Sequence, residues 1–573
     1  MLSGVTGLGI LGSMQRTCIT CQAEFKISDE DLAFYDQVAP TFTGEKYSIP
    51  PPTHCPQCRQ QRRMIWRSER VFYKRTCDMT GKNIIACYPK DSPYTVYSQE
   101  AFWSDDWDPR DFGRDIDFTR PFFEQFNELL HDVPHIALLN MQTENSEFCH
   151  RIYDGRNNYM SIVALYAPED LLHTYFTIAC KSCTDTGFNQ YCELCYEVVD
   201  TEKCYHCFYG LRLNNCRDCY FCEDCTGCKD CFGCKNLHQK QYCIFNEQKT
   251  KVEYQMFIDS CHFDSHSFVQ ENRQKSRMFF LKYPHRSNVL IDTTNVTGGN
   301  VYHSQESTEL YDWYESERVS YSAMGEKSHD CMDIYGMGVG DFCLESVTNM
   351  YVHHLLFCTS TANASDLLYC YESANNTRDC FGCACMKKGQ YCILNKQYTK
   401  QEYEELAGKL IAHMQSTNEW GEFFPHKCSP IAYNEAVVQD YYPLTKKEAE
   451  QKGYRWQDAM NDIEEMKKTV PANQLPDRLN DIPDDILNWA IECSNTKRLF
   501  KVVKQEVDFY RSMKIPIPHL HPDERHRLRI AQRNPRKLWD RTCSKCLKKM
   551  QSTYSPDRPE IVYCEECYLK EVY

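Results

Sequence analysis

The chain has 573 residues, 42% of them hydrophobic, which is enough for several domains with substantial cores and excludes a largely disordered protein. A formal net charge of −15 and a pI near 5.7 exclude a surface that coats nucleic acid or an anionic membrane over its whole extent, so any such contact must be local. The 36 cysteines could be disulfides, metal ligands or buried thiols, and only their spacing can distinguish these uses.

The first residues are mildly apolar and contain no basic segment. They are also too short to cross a bilayer, so we expect neither an export signal nor a membrane anchor. We predict that residues 1–14 are a disordered fringe, and translation could start at Met1 or at Met14.

A pair of closely spaced cysteines, Cys18 and Cys21, is followed by a second pair, Cys55 and Cys58. Two intervening residues let both sulfurs of one turn reach the same ion, so the four predict a tetrahedral zinc site. Four protein thiolates leave no position for water, which indicates a structural rather than a catalytic ion. We place this site in an N-terminal double zinc-ribbon module, residues 15–125, whose first ribbon is metallated and whose second is degenerate.

The C-terminal end contains an equivalent set, Cys543 and Cys546 with Cys564 and Cys567. The same spacing argument predicts a second structural zinc site, so zinc is the expected cofactor at both ends. The corresponding double zinc-ribbon module spans residues 486–573, with a degenerate first ribbon and a metallated second one.

The two modules are copies of one another. A shift of 466 positions aligns the segment from Arg75 to Glu100 with the segment from Arg541 to Glu566. In that register Cys55 and Cys58 fall on His521 and Glu524. The matching ligands are therefore lost from one ribbon of each copy, and we predict no metal at the degenerate ribbons, since structural zinc has four protein ligands.

A basic segment with interspersed aromatic residues follows the second cysteine pair, and the C-terminal copy repeats it. Such a mixture suits phosphate contact and base stacking, so the segment is a candidate RNA- or DNA-binding surface. The alternative is a solvated helix face, or pairing with the acidic stretch 105–117, since arginine binds carboxylates as readily as phosphates. The candidate contact residues are Arg59, Arg62, Arg63, Arg67, Arg525, Arg529 and Arg533.

From Cys180 the chain continues in five consecutive blocks of twelve residues, each opening with C-x-x-C. A short fixed period indicates a solenoid, and twelve residues are too few for a helix pair. We therefore predict a mainly β fold with two β-solenoid runs, residues 144–251 and 288–400. A helical or loop insertion at 252–287 separates them, and a capping helix at 401–418 and a helix-containing linker at 419–485 follow.

The solenoid cysteines permit three interpretations. They could be an inert ladder of buried thiols, since free cysteine behaves as a small hydrophobe. They could form disulfides, which would make the chain a disulfide-laddered structural protein. They could also bind metal or an iron–sulfur cluster in the dense run from Cys216 to Cys234, which would make it a redox protein.

No P-loop, G-x-S-x-G or H-E-x-x-H motif occurs, so no catalytic residue is predicted. The motifs PPPTHCPQCRQQRR, QYCILNKQYTKQEYEEL and YYPLTKKEAEQKGYRW resemble a family of uncharacterised zinc-ribbon, cysteine-rich repeat proteins of candidate-phylum bacteria. Some members carry a CaiB/BaiF label, which implies an acyl-CoA transferase, but the sequence shows neither the pattern of a nucleotide-binding fold nor a coenzyme site. We expect a cytoplasmic zinc-binding scaffold that binds nucleic acid, a ribonucleoprotein or a protein partner along the solenoid.

Overall fold

The structure is a computed structural model of the whole chain. It describes residues 13–336, 340–341, 344–345, 347–350, 352–353, 356–357, 359–362, 364–373, 376–458 and 468–573. The predicted fringe, apart from residues 13 and 14, and part of the predicted linker lie outside the described residues. The chain divides into two compact units: unit 1 comprises Met1–Ala137 and Val289–Gln457, and unit 2 comprises Leu138–Asn288 and Asp458–Tyr573. Each unit thus combines one terminal cysteine-containing module with one repeat segment.

Unit 1 is mainly β with short helices. Its helices are Asp29–Gln37, Pro56–Met64, Gln99–Trp103, Phe122–Asp132, Lys400–Ser416, Val438–Tyr441 and Lys446–Gln451, with 3-10 turns at Pro109–Phe112, His426–Cys428 and Tyr433–Glu435. Its strands are Met14–Thr17, Glu24–Ile27, Thr41–Phe42, Glu45–Lys46, Tyr73–Thr76, Asn83–Ala86, Val96–Tyr97, His135–Ile136, Leu290–Ile291, Thr294–Tyr302, Gln305–Ser320, Ala323–Met332, Gly340–Asp341, Val347–Met350, Val352–His353, Thr359–Ala362, Ser365–Leu368, Thr377–Phe381, Gly389–Ile393 and Lys396–Gln397.

Unit 2 also combines a repeat segment with a cysteine-containing module, but in this unit the repeat segment comes first in the chain. Its helices are Lys251–Ser260, His266–Phe280, Lys504–Met513, Pro522–Ile530 and Glu565–Val572, with 3-10 turns at Ala472–Gln474, Leu479–Asp481 and Asp484–Asn488. Its strands are His150–Ile152, Ile162–Leu165, Tyr175–Ile178, Gly187–Gln190, Arg217–Tyr220, Lys229–Phe232, Gln241–Ile244, Glu247–Gln248, His285–Arg286, Lys468–Pro471, Trp489–Glu492, Leu499–Phe500, Trp539–Thr542, Lys549–Ser552 and Val562–Tyr563.

The repeat segment of unit 2, here called the first ladder (residues 141–248), pairs in parallel with itself at the period of the sequence. Glu193, for example, bridges Lys181 on one side and Tyr205 on the other, each twelve positions away. The second ladder (residues 290–397, unit 1) pairs in the same way, with Val319 opposite Cys331. Successive twelve-residue rungs therefore lie side by side, and equivalent residues form columns.

Every third residue of the first ladder from Ser182 to Asp224 has a φ between 46° and 57°, in the left-handed region. Non-glycine residues are disfavoured in this region, so each of these residues needs an interaction that offsets its backbone strain. The backbone supplies it, because the N–H of each such residue donates to the preceding rung, as Asp185 N does to Leu172 O at 2.9 Å. The side chain before the bridging residue, as in Cys183, then faces the interior.

Both ladders end in the same way. The last parallel strand of each turns back as a short antiparallel pair, Cys243 opposite Gln248 and Cys392 opposite Gln397. A helix begins immediately afterwards with a capping box, formed by Thr250 in unit 2 and by Thr399 in unit 1. The hairpin satisfies the open edge of the ladder, and the cap satisfies the first N–H groups of the helix.

Candidate metal centres and the arginine clamps

The four predicted N-terminal ligands converge. The sulfurs of Cys18, Cys21, Cys55 and Cys58 all lie within 4.8 Å of one another, and Cys21 Sγ is 3.6 Å from Cys55 Sγ. The first pair lies in a hairpin turn, where Gln22 N donates to Cys18 O at 3.0 Å. The second pair lies at the start of the helix Pro56–Met64, with Cys55 as its N-cap. One turn and one helix N-terminus thus supply two sulfurs each to a group that could hold a metal ion.

The C-terminal set repeats this geometry. Cys543, Cys546, Cys564 and Cys567 also place their sulfurs within 4.8 Å of one another. Cys546 Sγ lies 3.7 Å from Cys564 Sγ, and Cys564 is the N-cap of the helix Glu565–Val572. The four residues predicted at each end of the chain therefore lie together in the structure.

The electrostatics of each group favour a thiolate at one cysteine and a thiol at another: hydrogen bonding to Cys55 and burial raise the pKa of Cys58, and burial raises the pKa of Cys567. The hydrogen bond from the Cys58 thiol lowers the pKa of Cys55 to about 5. Burial raises the pKa of Cys543, but the backbone N–H groups of Cys546 and Cys564 outweigh it and lower this pKa to about 6. Since a thiolate and not a thiol is the metal ligand, the remaining thiols of each group would release their protons when a cation binds.

The degenerate ribbons keep the backbone turn that the four-cysteine groups use. Cys77 and Cys493 each accept a hydrogen bond from the residue four positions later, at 2.8 and 3.1 Å. Helix-capping contacts replace the second ligand pair: Ser98 Oγ accepts from Ala101 N at 3.2 Å, and His521 Nδ1 accepts from Asp523 N at 3.1 Å. Protein hydrogen bonds therefore hold the turns where the ligands are missing.

The basic helix Pro56–Met64 of unit 1 packs its arginines against the second ladder. Arg59 Nε donates to Asp333 Oδ1 at 3.0 Å, and Arg63 Nη1 donates to the same oxygen at 2.9 Å. Arg63 Nη2 also donates to the carbonyl of Tyr321 at 3.0 Å. All three charged side chains are 2% exposed or less. We call this arrangement, two arginines one helical turn apart on one buried aspartate, an arginine clamp.

Unit 2 contains a second arginine clamp, on the helix Pro522–Ile530. Arg525 contacts Asp185, and Arg529 Nη1 donates to Asp185 Oδ1 at 2.7 Å. Arg529 Nη2 also donates to the carbonyl of His173 at 3.3 Å. The arginines correspond to Arg59 and Arg63 at a shift of 466 positions, and the aspartate and carbonyl correspond at a shift of 148. The duplication therefore includes the contact between module and ladder.

The remaining candidate nucleic-acid contacts have protein partners as well. Arg62 pairs with Glu345 and Glu422, Arg67 with Glu69, and Arg533 with Asp200. The nucleic-acid hypothesis required Arg63 and Arg529 to be exposed, and this requirement is not met, since both are buried.

The pairing partners also differ from the acidic stretch 105–117 that the sequence suggested. Within that stretch, Asp108 pairs with Arg110 and Asp115 with Lys396. The seven arginines, Arg59, Arg62, Arg63, Arg67, Arg525, Arg529 and Arg533, are committed to internal ion pairs.

The ladder cysteines are free thiols throughout the described part of the chain. They hydrogen-bond to backbone carbonyls, as Cys195 Sγ does to Glu193 O at 3.4 Å and Cys204 O at 3.6 Å. In the described residues four groups bring three or more potential metal ligands within 4.8 Å, and the dense run from Cys216 to Cys234 belongs to none of them. These contacts are the ones expected of buried thiols that fill the interior of the ladder.

No family model matches the chain, and no curated protein is significantly similar to it. Among the helices that the structure describes, none combines the length and apolar character needed to cross a bilayer.

Sequence analysis missed the carboxylates of the clamps, Asp185 and Asp333. A signal was present, because the shift of 148 positions that aligns Cys183 with Cys331 also aligns these two aspartates. It also missed His135 and His285, although each follows a proline directly before a ladder, at the same place in the duplicated chain. Polar residues that recur at matched positions of a duplication are candidates for a shared contact.

Proposed function

We propose that this protein is a zinc-stabilised binding scaffold. The convergence of four cysteine sulfurs at each end carries the proposal. Tetrahedral sites with four thiolates are typical of structural zinc, and they leave no open position for a substrate or a catalytic water. On this proposal zinc is a folding element, and the function of the protein is to present surfaces to a partner.

The N-terminal zinc would act directly on the arginine clamp of unit 1. Cys55 and Cys58 lie on the same helix as Arg59 and Arg63, within its first two turns. An ion that fixes the helix N-terminus also fixes the direction in which the arginines point, so the metal would orient the helix on the second ladder.

We propose further that the two ladders are β-solenoid runs that offer extended surfaces to a partner. Parallel pairing at every twelfth residue supports this, because each rung then needs only its neighbours. Free thiols beside zinc ligands support a reducing compartment, such as the cytoplasm, since thiolates there escape oxidation.

The zinc proposal is tested by elemental analysis of protein purified anaerobically without added metal. Cys55→Ser/Cys58→Ser and Cys564→Ser/Cys567→Ser should each lower the zinc content by one equivalent relative to the parent. The matched control is Cys204→Ser/Cys207→Ser, which changes two ladder cysteines at the same spacing and should leave zinc unchanged. Unchanged zinc in the ribbon variants, or iron with sulfide in the parent, would overturn the proposal.

A second candidate function, binding of single-stranded RNA or DNA, is favoured by one exposed face of the first ladder. Lys203 lies over the ring of Tyr191 and Arg217 over the ring of Tyr205, in adjacent rungs. The two tyrosines are 54% and 39% exposed. Exposed rings with a cation over each suit base stacking and phosphate contact. Each cation also contacts a carboxylate, Lys203 that of Glu202 and Arg217 that of Asp218, which a phosphate would have to displace.

This candidate is tested by the fluorescence anisotropy of a labelled oligonucleotide. We expect salt-dependent binding by the parent protein and at least about tenfold weaker binding by Tyr191→Ala/Tyr205→Ala, since each stacked base contributes about 1–3 kcal/mol. Tyr166→Ala, which removes an exposed tyrosine of the same ladder, is the control. Equal binding by all three proteins would rule out this face as the binding site.

A further inference from the structure

A polar cluster lies in the interior of unit 1, apart from the group formed by Cys18, Cys21, Cys55 and Cys58. It consists of His135, Glu372 and Cys385, whose ligand atoms lie within 4.8 Å of one another. His135 and Cys385 are fully buried. The histidine belongs to the short strand His135–Ile136, and the other two residues belong to the second ladder. The cluster thus combines one nitrogen, one carboxylate and one sulfur donor in a dry environment.

The hydrogen bonds of His135 fix which nitrogen faces the cluster. Its Nε2 lies 2.7 Å from the carbonyl oxygen of Leu130. A carbonyl can only accept, so Nε2 carries the proton and Nδ1 presents its lone pair. Nδ1 lies 4.0 Å from Cys385 Sγ and 3.3 Å from the hydroxyl of Tyr88. A histidine held in this way by a backbone carbonyl is the usual arrangement of a metal ligand.

Unit 2 contains the counterpart of this cluster. His285 pairs with Val562 as His135 pairs with Val96, and the two valines are 466 positions apart. The Tyr554 hydroxyl lies 3.4 Å from His285 Nδ1, close to the distance from Tyr88 to His135.

The ladder residues of the two clusters correspond as well. Glu223 bridges Lys235, and Tyr371 bridges Ala384 in the same position. The next residues along the chain then correspond to each other, Asp224 to Glu372 and Asn236 to Cys385.

In unit 2 a tethered cation fills the centre of the cluster. The Nζ of Lys235, which is fully buried, lies 2.7 Å from Glu223 Oε1 and 3.4 Å from His285 Nδ1, and it also contacts Asp224. A buried ammonium group requires such compensation, so this position is built to hold a positive charge.

Unit 1 replaces this lysine by Ala384 and the adjacent asparagine by Cys385. The change removes the tethered ammonium and introduces a sulfur ligand. Asn236 Oδ1 accepts a hydrogen bond from the Tyr568 hydroxyl at 3.0 Å, but Phe102 stands at the corresponding position of unit 1 and has no hydroxyl to donate. Cys385 therefore does not keep the hydrogen bond that Asn236 makes in unit 2.

We propose that His135 Nδ1, Cys385 Sγ and a carboxylate oxygen of Glu372 bind a divalent transition-metal ion, zinc in the cell, at the position that Lys235 occupies in unit 2. Imidazole, thiolate and carboxylate are all zinc ligands, and soft sulfur selects against magnesium and calcium. Cys385 loses its proton to solvent on binding. Three protein ligands leave the fourth tetrahedral position to water, which sets this site apart from the structural ribbons. The Tyr88 hydroxyl lies 3.3 Å from His135 Nδ1. The ion takes the place of the lysine ammonium group of unit 2, and unlike that group it can exchange with ions in solution. It makes a third metal site in the chain.

The test compares metal content in the full-length parent, Cys385→Asn, and Ala384→Lys/Cys385→Asn, which introduces the lysine and the asparagine of unit 2. We expect about three equivalents of zinc in the parent and one fewer in each variant. Cys331→Ser, a buried cysteine of the same ladder outside the cluster, is the control and should keep all three. The double variant supplies its own cation, so its circular dichroism should match the parent even if the single variant unfolds.

Cadmium-113 NMR of the cadmium-substituted protein gives an independent readout. The ribbons, with four sulfurs each, and the cluster, with one, should give signals in different regions of the spectrum. The signal from the cluster should vanish in Cys385→Asn while the ribbon signals persist. A parent protein whose metal content is fully accounted for by the two ribbons, or a third equivalent that survives in both variants, would overturn the proposal. The ribbon variants change the other two equivalents, so failure at the ribbons would be distinguished from failure here.

Discussion

The two units contain the same arginine clamp, but they hold the clamp helix in different ways. In unit 1, Cys55 and Cys58 at the start of the helix belong to a group that could hold a metal. In unit 2 the corresponding residues are His521, which caps the helix, and Glu524, which accepts from Asn495 Nδ2 at 2.9 Å. The comparison shows that the contact between helix and ladder is the constant feature. Metal ligands and hydrogen-bonded caps are alternative ways to place the helix.

The equivalence of the two clamps is tested most directly at the aspartate of each clamp. Asp333→Asn in unit 1 and Asp185→Asn in unit 2 should each lower the free energy of unfolding by about 3–5 kcal/mol, because each removes the carboxylate that two buried guanidinium groups share. Arg525 keeps Glu506 as a second partner, so the loss in unit 2 should lie at the lower end of this range. Urea unfolding monitored by circular dichroism measures the loss. Asp330→Asn removes an exposed partner of Arg318 in the same ladder and should cost no more than about 1 kcal/mol. A large loss in only one unit would show that the two clamps are not equivalent.

Acid should lower the stability of unit 2 through Glu506 without a matching loss in unit 1. Burial opposes the charge of Glu506, but His173, whose Nε2 lies 2.9 Å from its carboxylate, and Arg525 outweigh this and hold the pKa of Glu506 at about 2. The stability that this group contributes is complete above its unfolded pKa of about 4.3 and is lost as the pH falls towards 2, by up to about 3 kcal/mol.

Asp31 of unit 1 contacts Tyr321, the counterpart of His173, and burial raises the pKa of Asp31. Its protonation is favoured by folding, so acid removes no stability through this group. Glu506→Gln should therefore flatten the decline in stability between pH 4.5 and 2, whereas Asp31→Asn should not. Because each variant is compared with the parent at the same pH, loss of metal from both cancels. A parallel response of the two variants would contradict the assignment.

Metal removal should loosen one clamp helix and leave the other unchanged. In Cys55→Ser/Cys58→Ser we expect amide hydrogen exchange in Pro56–Met64 to accelerate about 100-fold, which corresponds to about 2.7 kcal/mol. Exchange in Pro522–Ile530 should not change, because His521 and Glu524 hold that helix without an ion. Cys564→Ser/Cys567→Ser should accelerate exchange in Glu565–Val572 instead. Faster exchange in both clamp helices would mean that the hydrogen-bonded cap does not substitute for metal.

The smallest effect is expected within the ladders. Cys207 Sγ donates to the carbonyl of Tyr205 at 3.5 Å, and Ser307 of the second ladder makes the same kind of bond to Gln305 O at 2.9 Å. Cys207→Ser should therefore cost about 1 kcal/mol or less in thermal unfolding. Cys207→Asp, which buries a charge in the same column, should cost several times more. A large loss of stability in Cys207→Ser would indicate that the ladder sulfurs do more than fill space.

Part of this architecture follows from the sequence because it depends on local spacing. Two cysteines separated by two residues can share an ion where a second such pair meets them, and the period of twelve set the ladder pairs apart, so both groups of four that could hold a metal were identified. The period of twelve is likewise local, since each rung pairs with its neighbours. The duplication also shows which cysteines each degenerate ribbon lacks relative to its copy.

The tertiary structure decided what the arginines do and which interior residues meet. Arg63 and Asp333 are 270 positions apart, and His135 and Cys385 are 250 apart. Side-chain chemistry alone does not distinguish a phosphate-binding arginine from one that binds a carboxylate, because the guanidinium group pairs with both. Only the fold places a buried aspartate opposite two arginines in each unit. Only the fold, likewise, shows that Ala384 takes the place of a buried lysine.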